Sequence, residues 1–155
     1  MSTDEVLSKK KLLGDTCFRN RNFVKAVKIY SEALALIDPL ENKSCEEIYL
    51  CASLYSNRAA AYLKLEKPHR TILDADAGIE LLDSVDNMGT ERKRKLCTLF
   101  VRRGTGFYLL HQLAEAISDY QKAVDLSPED ENLYADLQRM KNQQNFNQIM
   151  KSTTK

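Results

Sequence analysis

Glycine and proline are scarce in this sequence, with five Gly and three Pro among 155 residues. A β-sandwich or barrel needs a turn about every 8 to 12 residues, and Gly and Pro make many of those turns. The scarcity therefore favours a helical protein. A chain of this length also fits one domain, since single domains cluster at about 100 to 150 residues.

Charge of one sign is not in excess either. Lys and Arg number 23 and Asp and Glu 22, for a formal charge of +1. Nucleic-acid binders draw much of their affinity from an excess of cations, so the balance argues against a nucleic-acid partner. No stretch approaches the roughly 18 consecutive apolar residues of a membrane span, and the first residues lack the apolar segment of a signal peptide. We therefore expect no membrane partner and a cytoplasmic location.

Cysteine and histidine occur without the clustering that a metal site requires. The chain has four Cys, with no C-x-x-C pair, and two His. We expect the cysteines to be reduced thiols; they are Cys17, Cys45, Cys51 and Cys97. No nucleophile paired with a base and no catalytic pair of carboxylates can be assembled. The sequence therefore predicts no enzyme, no cofactor and no metal.

Small residues recur with the same two spacings in three places. In each set the second residue comes 12 positions after the first, and the third comes 7 positions later. The sets are Gly14, Ala26 and Ala33; Ala59, Thr71 and Gly78; and Gly104, Ala116 and Ala123. Small residues allow two antiparallel helices to approach closely, while larger apolar residues fill the flanks. The pattern predicts three helix pairs of one design.

The three units begin 45 residues apart, although the pattern itself fits a body of 34 residues. The bodies are predicted at about 7–40, 52–85 and 97–130. The segments 41–51 and 86–96 begin with polar residues and end with helix formers, so we expect each to extend the following helix backwards. A helix at about 131–147 is expected to cap the stack. It would complete a single domain over 1–148, followed by a frayed tail at 149–155.

Three segments resemble tetratricopeptide repeats (TPRs). They are LLGDTCFRNRNFVKAVKIYSEALAL, LYSNRAAAYLKLEKPHRTILDADAGIELL and FVRRGTGFYLLHQLAEAISDYQKAVDLSP. The resemblance implies an all-α, right-handed superhelical solenoid of three helix pairs plus a C-terminal capping helix. SNRAAAYLKL and VRRG resemble the co-chaperone group that holds the acidic C-terminal tail of heat-shock protein 90 or 70 in a carboxylate clamp. The long insert followed by VRRGTGF resembles the TPR domain of dynein axonemal assembly factors.

The resemblance implies an adaptor whose partners are the EEVD-type C-terminal peptides of heat-shock proteins 90 and 70, and also axonemal dynein assembly factors. The family's clamp positions fall on Lys11, Asp15, Asn57, Thr98 and Arg102. Lys11, Asn57 and Arg102 keep the family's residue types. Asp15 replaces an amide donor with an anion, and Thr98 removes a cation.

The two departures predict weak, altered or shifted tail binding, because Asp15 would repel a carboxylate. Lys64 and the run at 93–95 are candidates to replace the missing cation. An apolar pocket for a peptide side chain is expected one turn further along each first helix, at Phe18, Leu63 and Tyr108. Each of these side chains also has a simpler interpretation, in helix packing or as a solvated surface group. The alternative function is a TPR scaffold whose degenerate clamp binds an internal segment of an assembly partner.

Overall fold

The computed structural model describes residues 1–86 and 89–154, and within them every regular element is an α-helix. The helices are α1 (Thr3–Arg19), α2 (Phe23–Ile37), α3 (Cys45–Lys64), α4 (Pro68–Asp83), α5 (Thr90–Leu109), α6 (Leu113–Leu126) and α7 (Glu131–Thr153). Consecutive helices pack on each other, and α1 contacts α3 as α3 contacts α5. Because contacts run only between near neighbours in the described chain, the architecture is a helical-repeat solenoid. The predicted fold class is confirmed.

The turn inside each helix pair has the same backbone shape. One residue takes a positive φ in each turn, namely Arg21 at 61°, Glu66 at 57° and His111 at 60°. In the first turn the next N–H, that of Asn22, donates to the carbonyl of Cys17 at 2.9 Å. The other two turns repeat this bond. This Schellman-type closure satisfies the last carbonyls of the first helix and reverses the chain.

The helix crossings explain the rhythm of small residues. A Cβ on Gly14 would lie against the ring of Tyr30, 2.8 Å from Cδ1. A Cβ on Gly104 would lie 2.7 Å from Cδ2 of Tyr120. In the middle pair, the Thr71 hydroxyl donates to the Ala59 carbonyl at 3.3 Å. The small residues are therefore the points where the first helix approaches the second.

Both first helices after an insert are extended backwards. α3 begins at Cys45 and α5 at Thr90, each seven residues before the predicted body. A capping box starts α3, because the Ser44 hydroxyl accepts from the Glu47 N–H at 3.2 Å and Glu47 accepts from the Ser44 N–H at 2.7 Å. Asn87 and Met88 of the second insert lie outside the described residues.

The extension of α5 is tied to the end of α4. Arg92 is buried, its Nε donates to the Leu82 carbonyl at 2.8 Å, and its Nη2 lies 3.2 Å from Asp83 Oδ1. A side chain that binds the last carbonyls of a helix stabilises that helix end. The extension is therefore anchored to the stack.

α7 covers the end of the stack and then continues past it. Leu133, Leu137 and Met140 are buried in one cluster with residues of α6. The helix runs to Thr153, whereas a frayed tail from 149 was expected. No Gly or Pro interrupts the segment, so its intrinsic helix propensity carries it on although its side chains are largely exposed. Lys155 lies outside the described residues.

Candidate peptide-binding groove

The five clamp positions lie on the three first helices. Lys11 and Asp15 are on α1, Asn57 is on α3, and Thr98 and Arg102 are on α5. Because α1, α3 and α5 lie side by side, they form one wall of the solenoid. Asp15, Asn57, Thr98 and Arg102 line a groove in it, and Lys11 adjoins the groove through its ion pair with Asp15. Two adjoining cavities occupy it, and Asn57 and Arg102 line both of them.

The Asp15 carboxylate accepts hydrogen bonds from the two donors, Lys11 and Asn57, that were expected to bind a ligand. Lys11 Nζ lies 2.7 Å from Asp15 Oδ2, and Asn57 Nδ2 donates to Oδ1 at 2.8 Å. Tyr30, from the outer helix α2, donates its hydroxyl to the same Oδ1 at 2.6 Å. Burial raises the pKa of Tyr30, and its hydrogen bond to Asp15 acts in the same direction. The tyrosine therefore remains a donor at neutral pH.

The first cavity, between α1 and α3, has a volume of about 310 Å³. Its lining consists of Asp15, Phe18, Arg19, Tyr30, Asn57, Ala60 and Arg102. The wall combines two aromatic rings with charged groups of both signs. We call it the α1–α3 cavity. It is shaped for a side chain that is at least partly apolar.

The second cavity, between α3 and α5, has a volume of about 200 Å³. Its lining is Ala52, Ser53, Ser56, Asn57, Arg94, Lys95, Thr98 and Arg102, with three cations and no acidic residue. Lys95 Nζ donates to Ser53 Oγ at 2.6 Å and lies 3.6 Å from the exposed Glu91. Burial lowers the pKa of Lys95, and the charges of Arg94 and Lys11 act in the same direction against that of Glu91. We call it the α3–α5 cavity; its electrostatics suit an anion.

Arg102 has no carboxylate partner in the described part of the chain. Its Nη1 donates to the carbonyl of Ser56, and burial lowers its pKa. The usual arginine pKa, above about 12, nevertheless leaves the guanidinium charged at neutral pH. The neighbouring Arg103, by contrast, pairs with both Asp76 and Asp119. Arg102 is thus a partly buried cation that forms no salt bridge within the described residues, although the Asp15 carboxylate lines one of the same two cavities.

Two solved structures with this architecture contain bound peptides. No protein-family model matches the chain. The first TPR of Spaghetti (RPAP3), bound to the HSP90 peptide SRMEEVD, matches 88% of this chain and 90% of that one at a TM-score of 0.69 and 23% identity. The fold is that of a TPR domain. The second TPR domain of human RPAP3, in complex with the HSP70 peptide SGPTIEEVD, matches 90% of this chain and 98% of that one at a TM-score of 0.70 and 24% identity.

Part of a longer curated protein is similar to this chain. Dynein axonemal assembly factor 4 of Pongo pygmaeus is 30% identical over 131 residues. The match covers 83% of this chain and 27% of the relative. The chain therefore spans about a quarter of the length of that protein.

The TPR domain does not bring the predicted apolar set into one pocket. Phe18 lines the α1–α3 cavity, whereas Tyr108 lies beside α7, where its hydroxyl donates to Gln143 at 3.3 Å. Leu63 is half-buried, and Lys64 is exposed and lines neither groove cavity. Phe18 lies on α1 and Tyr108 on α5, with α3 between them, and the two rings line separate cavities.

Tyr30 was missed because it lies on an outer helix, from which no ligand contact was expected. A signal was present, since 45 residues separate Tyr30, Ala75 and Tyr120, while Gly14, Ala59 and Gly104 follow the same interval. The second helix carries tyrosine where the facing residue of the first helix is glycine, and alanine where it is alanine. That exchange indicates that Tyr30 reaches across the first helix towards the groove.

Proposed function

We propose that this TPR domain is a binding adaptor, not an enzyme, and that it captures acidic peptide segments in the groove of α1, α3 and α5. In the finer form of the proposal, it acts as a co-chaperone module on the acidic C-terminal tail of heat-shock protein 90 or 70. The observation that carries the proposal is the α3–α5 cavity, where Arg94, Lys95 and Arg102 meet without an acidic residue in the lining. A carboxylate there would gain charge-assisted hydrogen bonds without displacing an ion pair of Arg102.

The comparisons support this choice of ligand. The two RPAP3 domains carry peptides of HSP90 and HSP70 that both end in EEVD. The name of the curated relative extends the proposal to assembly of axonemal dynein, with other assembly factors as partners. A cytoplasmic location accords with four free cysteine thiols. None of the helices in the described ranges combines the length and apolar character needed to cross a bilayer.

A second candidate ligand is an internal segment of an assembly partner. The hydrogen bonds of Asp15 favour it, because Lys11 and Asn57 are already engaged within the chain. An internal segment has no terminal carboxylate and does not need those donors.

Calorimetric titration with SRMEEVD and with SRMQQVN, in which amides replace the three acidic side chains, tests the proposed function. We expect the acidic peptide to bind at least about tenfold more tightly, since each charge-assisted contact contributes about 1.5 to 3 kcal/mol. Arg102→Ala should remove most of this preference. Lys93→Ala is the matched control, because Lys93 is exposed in the same segment and lies outside the lining. Equal affinity for the two peptides would rule out recognition of acidic side chains.

A further inference from the structure

We propose that Asp15 is an intramolecular substitute for the terminal carboxylate of a peptide, so that this groove recognises acidic side chains at the α3–α5 cavity and does not require a free C-terminus. The inference rests on the proposed function, binding of acidic peptides. It makes Asp15 the residue that determines which part of the ligand is recognised. The ligand class becomes an acidic segment that is either internal or terminal.

The hydrogen-bonding capacity of the Asp15 carboxylate is used within the chain. Both of its oxygens are engaged, Oδ2 by Lys11 and Oδ1 by Asn57 and Tyr30, at 2.6 to 2.8 Å. An α-carboxylate that reached Lys11 and Asn57 would have to displace Asp15 or lie beside its negative charge. Like charges in a partly enclosed site cost free energy, so this part of the groove disfavours a terminal carboxylate.

Asp15 is held in place from three helices. Lys11 lies one turn earlier on α1, Asn57 reaches it from α3, and Tyr30 reaches it from α2. Tyr30 is only 1% exposed, so its ring cannot follow Asp15 into solvent. If Asp15 rotated away, the buried hydroxyl would lose its acceptor, which is the costly way to break a hydrogen bond. The contact is therefore a fixed part of the groove.

The positive charge of the groove is displaced along α5. Thr98 stands where a clamp cation was expected, and Arg94 lies one turn before it; the Thr98 hydroxyl donates to the Arg94 carbonyl at 3.1 Å. One helical turn corresponds to about 5.4 Å. Arg94 and Lys95 thus supply, from the extension of α5, the charge that position 98 lacks. Together with Arg102 they form a binding site for one anionic side chain, which we call the anion site.

The shape of the groove gives the pattern of the ligand. Asn57 and Arg102 line both cavities, so an extended peptide that crosses them can place one side chain in each. The α1–α3 cavity offers the half-buried ring of Phe18, and the buried Tyr30 closes its base. The ligand therefore pairs an apolar side chain there with an acidic side chain at the α3–α5 cavity. Nothing in this pattern requires the peptide to end in the groove.

The test compares SRMEEVD as the free acid with the same peptide amidated at its C-terminus. For the wild-type domain we expect affinities within about twofold, because the terminus makes no specific contact. Asp15→Asn restores an amide and frees Lys11, so the free acid should gain about tenfold over the amide, as one charge-assisted contact would give. Asp125→Asn is the matched control, since it makes the same change on the outer helix α6. A tenfold preference of the wild type for the free acid would overturn the inference.

The anion site of Arg94, Lys95 and Arg102 is tested with the same two peptides. Arg94→Ala and Lys95→Ala should weaken binding of the acid and the amide by equal factors, whereas Lys93→Ala should change neither. If these variants weaken binding of the free acid only, the anion site binds the terminal carboxylate and the inference is wrong.

Failure of the proposed function can be distinguished from failure of the role proposed for Asp15. If the wild type binds neither peptide, the acidic-peptide function fails, and the role of Asp15 is still decided by its variants. If Asp15→Asn or Asp15→Ser then binds the free acid, Asp15 blocks the binding of a terminal carboxylate at Lys11 and Asn57. If both variants are folded by thermal melting and bind no peptide, Asp15 has no such role.

Discussion

Arg58 on α3 and Asp74 on α4 form a bidentate ion pair, with Nε 2.8 Å from Oδ2 and Nη2 2.7 Å from Oδ1. Arg103 and Asp119 repeat this pair 45 residues later, at 2.9 and 2.8 Å. In both repeats the remaining guanidinium nitrogen reaches the preceding helix pair; for Arg58 it donates to Ser31 Oγ at 2.9 Å. The pair therefore holds one helix pair together and joins it to the one before.

Removing one partner of this pair should destabilise the domain strongly. The side chains of Arg58 and Asp74 are only 19% and 7% exposed, so Arg58→Ala leaves a buried carboxylate without its cation. We expect a loss of about 2 to 4 kcal/mol in the free energy of unfolding, measured in urea. Arg139→Ala is the control, because Arg139 is 77% exposed in its pair with Asp136. That change should cost less than about 0.5 kcal/mol.

A carboxylate at position 31 should stabilise the domain slightly. Asp76, the equivalent of Ser31 one repeat later, accepts from Arg103 Nη1 at 2.8 Å. Ser31→Asp would place a similar acceptor opposite Arg58, with an expected gain of up to about 0.5 kcal/mol in unfolding free energy. The gain should shrink in 1 M salt, since partly exposed charges are screened. A gain unaffected by salt would point to a cause other than the ion pair.

A methyl group at Gly14 should be destabilising although alanine is the better helix former. The added Cβ would lie against the Tyr30 ring, 2.8 Å from Cδ1. Overpacking of this kind costs about 1 to 3 kcal/mol, more than the roughly 1 kcal/mol that alanine gains over glycine in a helix. Thermal melting of Gly14→Ala would show a lower Tm. A higher Tm would mean that the ring moves aside freely, and Asp15 would then lose its contact with Tyr30.

The cysteines should differ in reactivity. Burial raises the pKa of the Cys51 thiol to about 12, and the Asp38 carboxylate, which accepts from its Sγ at 3.8 Å, acts in the same direction. Very little of Cys51 is thus the reactive thiolate at pH 8. Cys45 is exposed at the start of α3. We expect Ellman's reagent to label Cys45 first and Cys51 only after unfolding, and Cys45→Ser to remove the fast phase.

The same thiol makes stability depend on alkaline pH. The folded-state pKa of Cys51, about 12, lies above the usual thiol value of about 8.5. Its contribution to stability is therefore complete below about pH 8.5 and is lost as pH rises towards 12. Urea unfolding of wild type and Cys51→Ala between pH 8 and 11 measures this contribution. The wild type should lose stability faster with rising pH, and parallel curves would contradict the assignment.

Much of the fold follows from local patterns, and the groove follows only in part. The recurrence of Gly14 and Gly104 predicts the helix crossings because close backbone approach is a local requirement. The positive φ at Arg21 was not predictable, since arginine does not favour that conformation and only the reversal of the chain imposes it. The hydrogen bond between Asp15 and Asn57 joins residues 42 positions apart. Its geometry depends on how two repeats are stacked, which no spacing along the chain specifies.

The extension of α5 places two cations of the groove outside the repeat bodies, whereas Asp15, Asn57 and Arg102 lie within them. Arg94 and Lys95 lie outside the three bodies of 34 residues, whereas the Gly–Tyr and Arg–Asp contacts that hold the stack lie within them. Substitutions at Arg94 and Lys95 leave every one of these contacts in place. The charge of the α3–α5 cavity can therefore be changed within a short segment while the contacts that join the helix pairs stay in place.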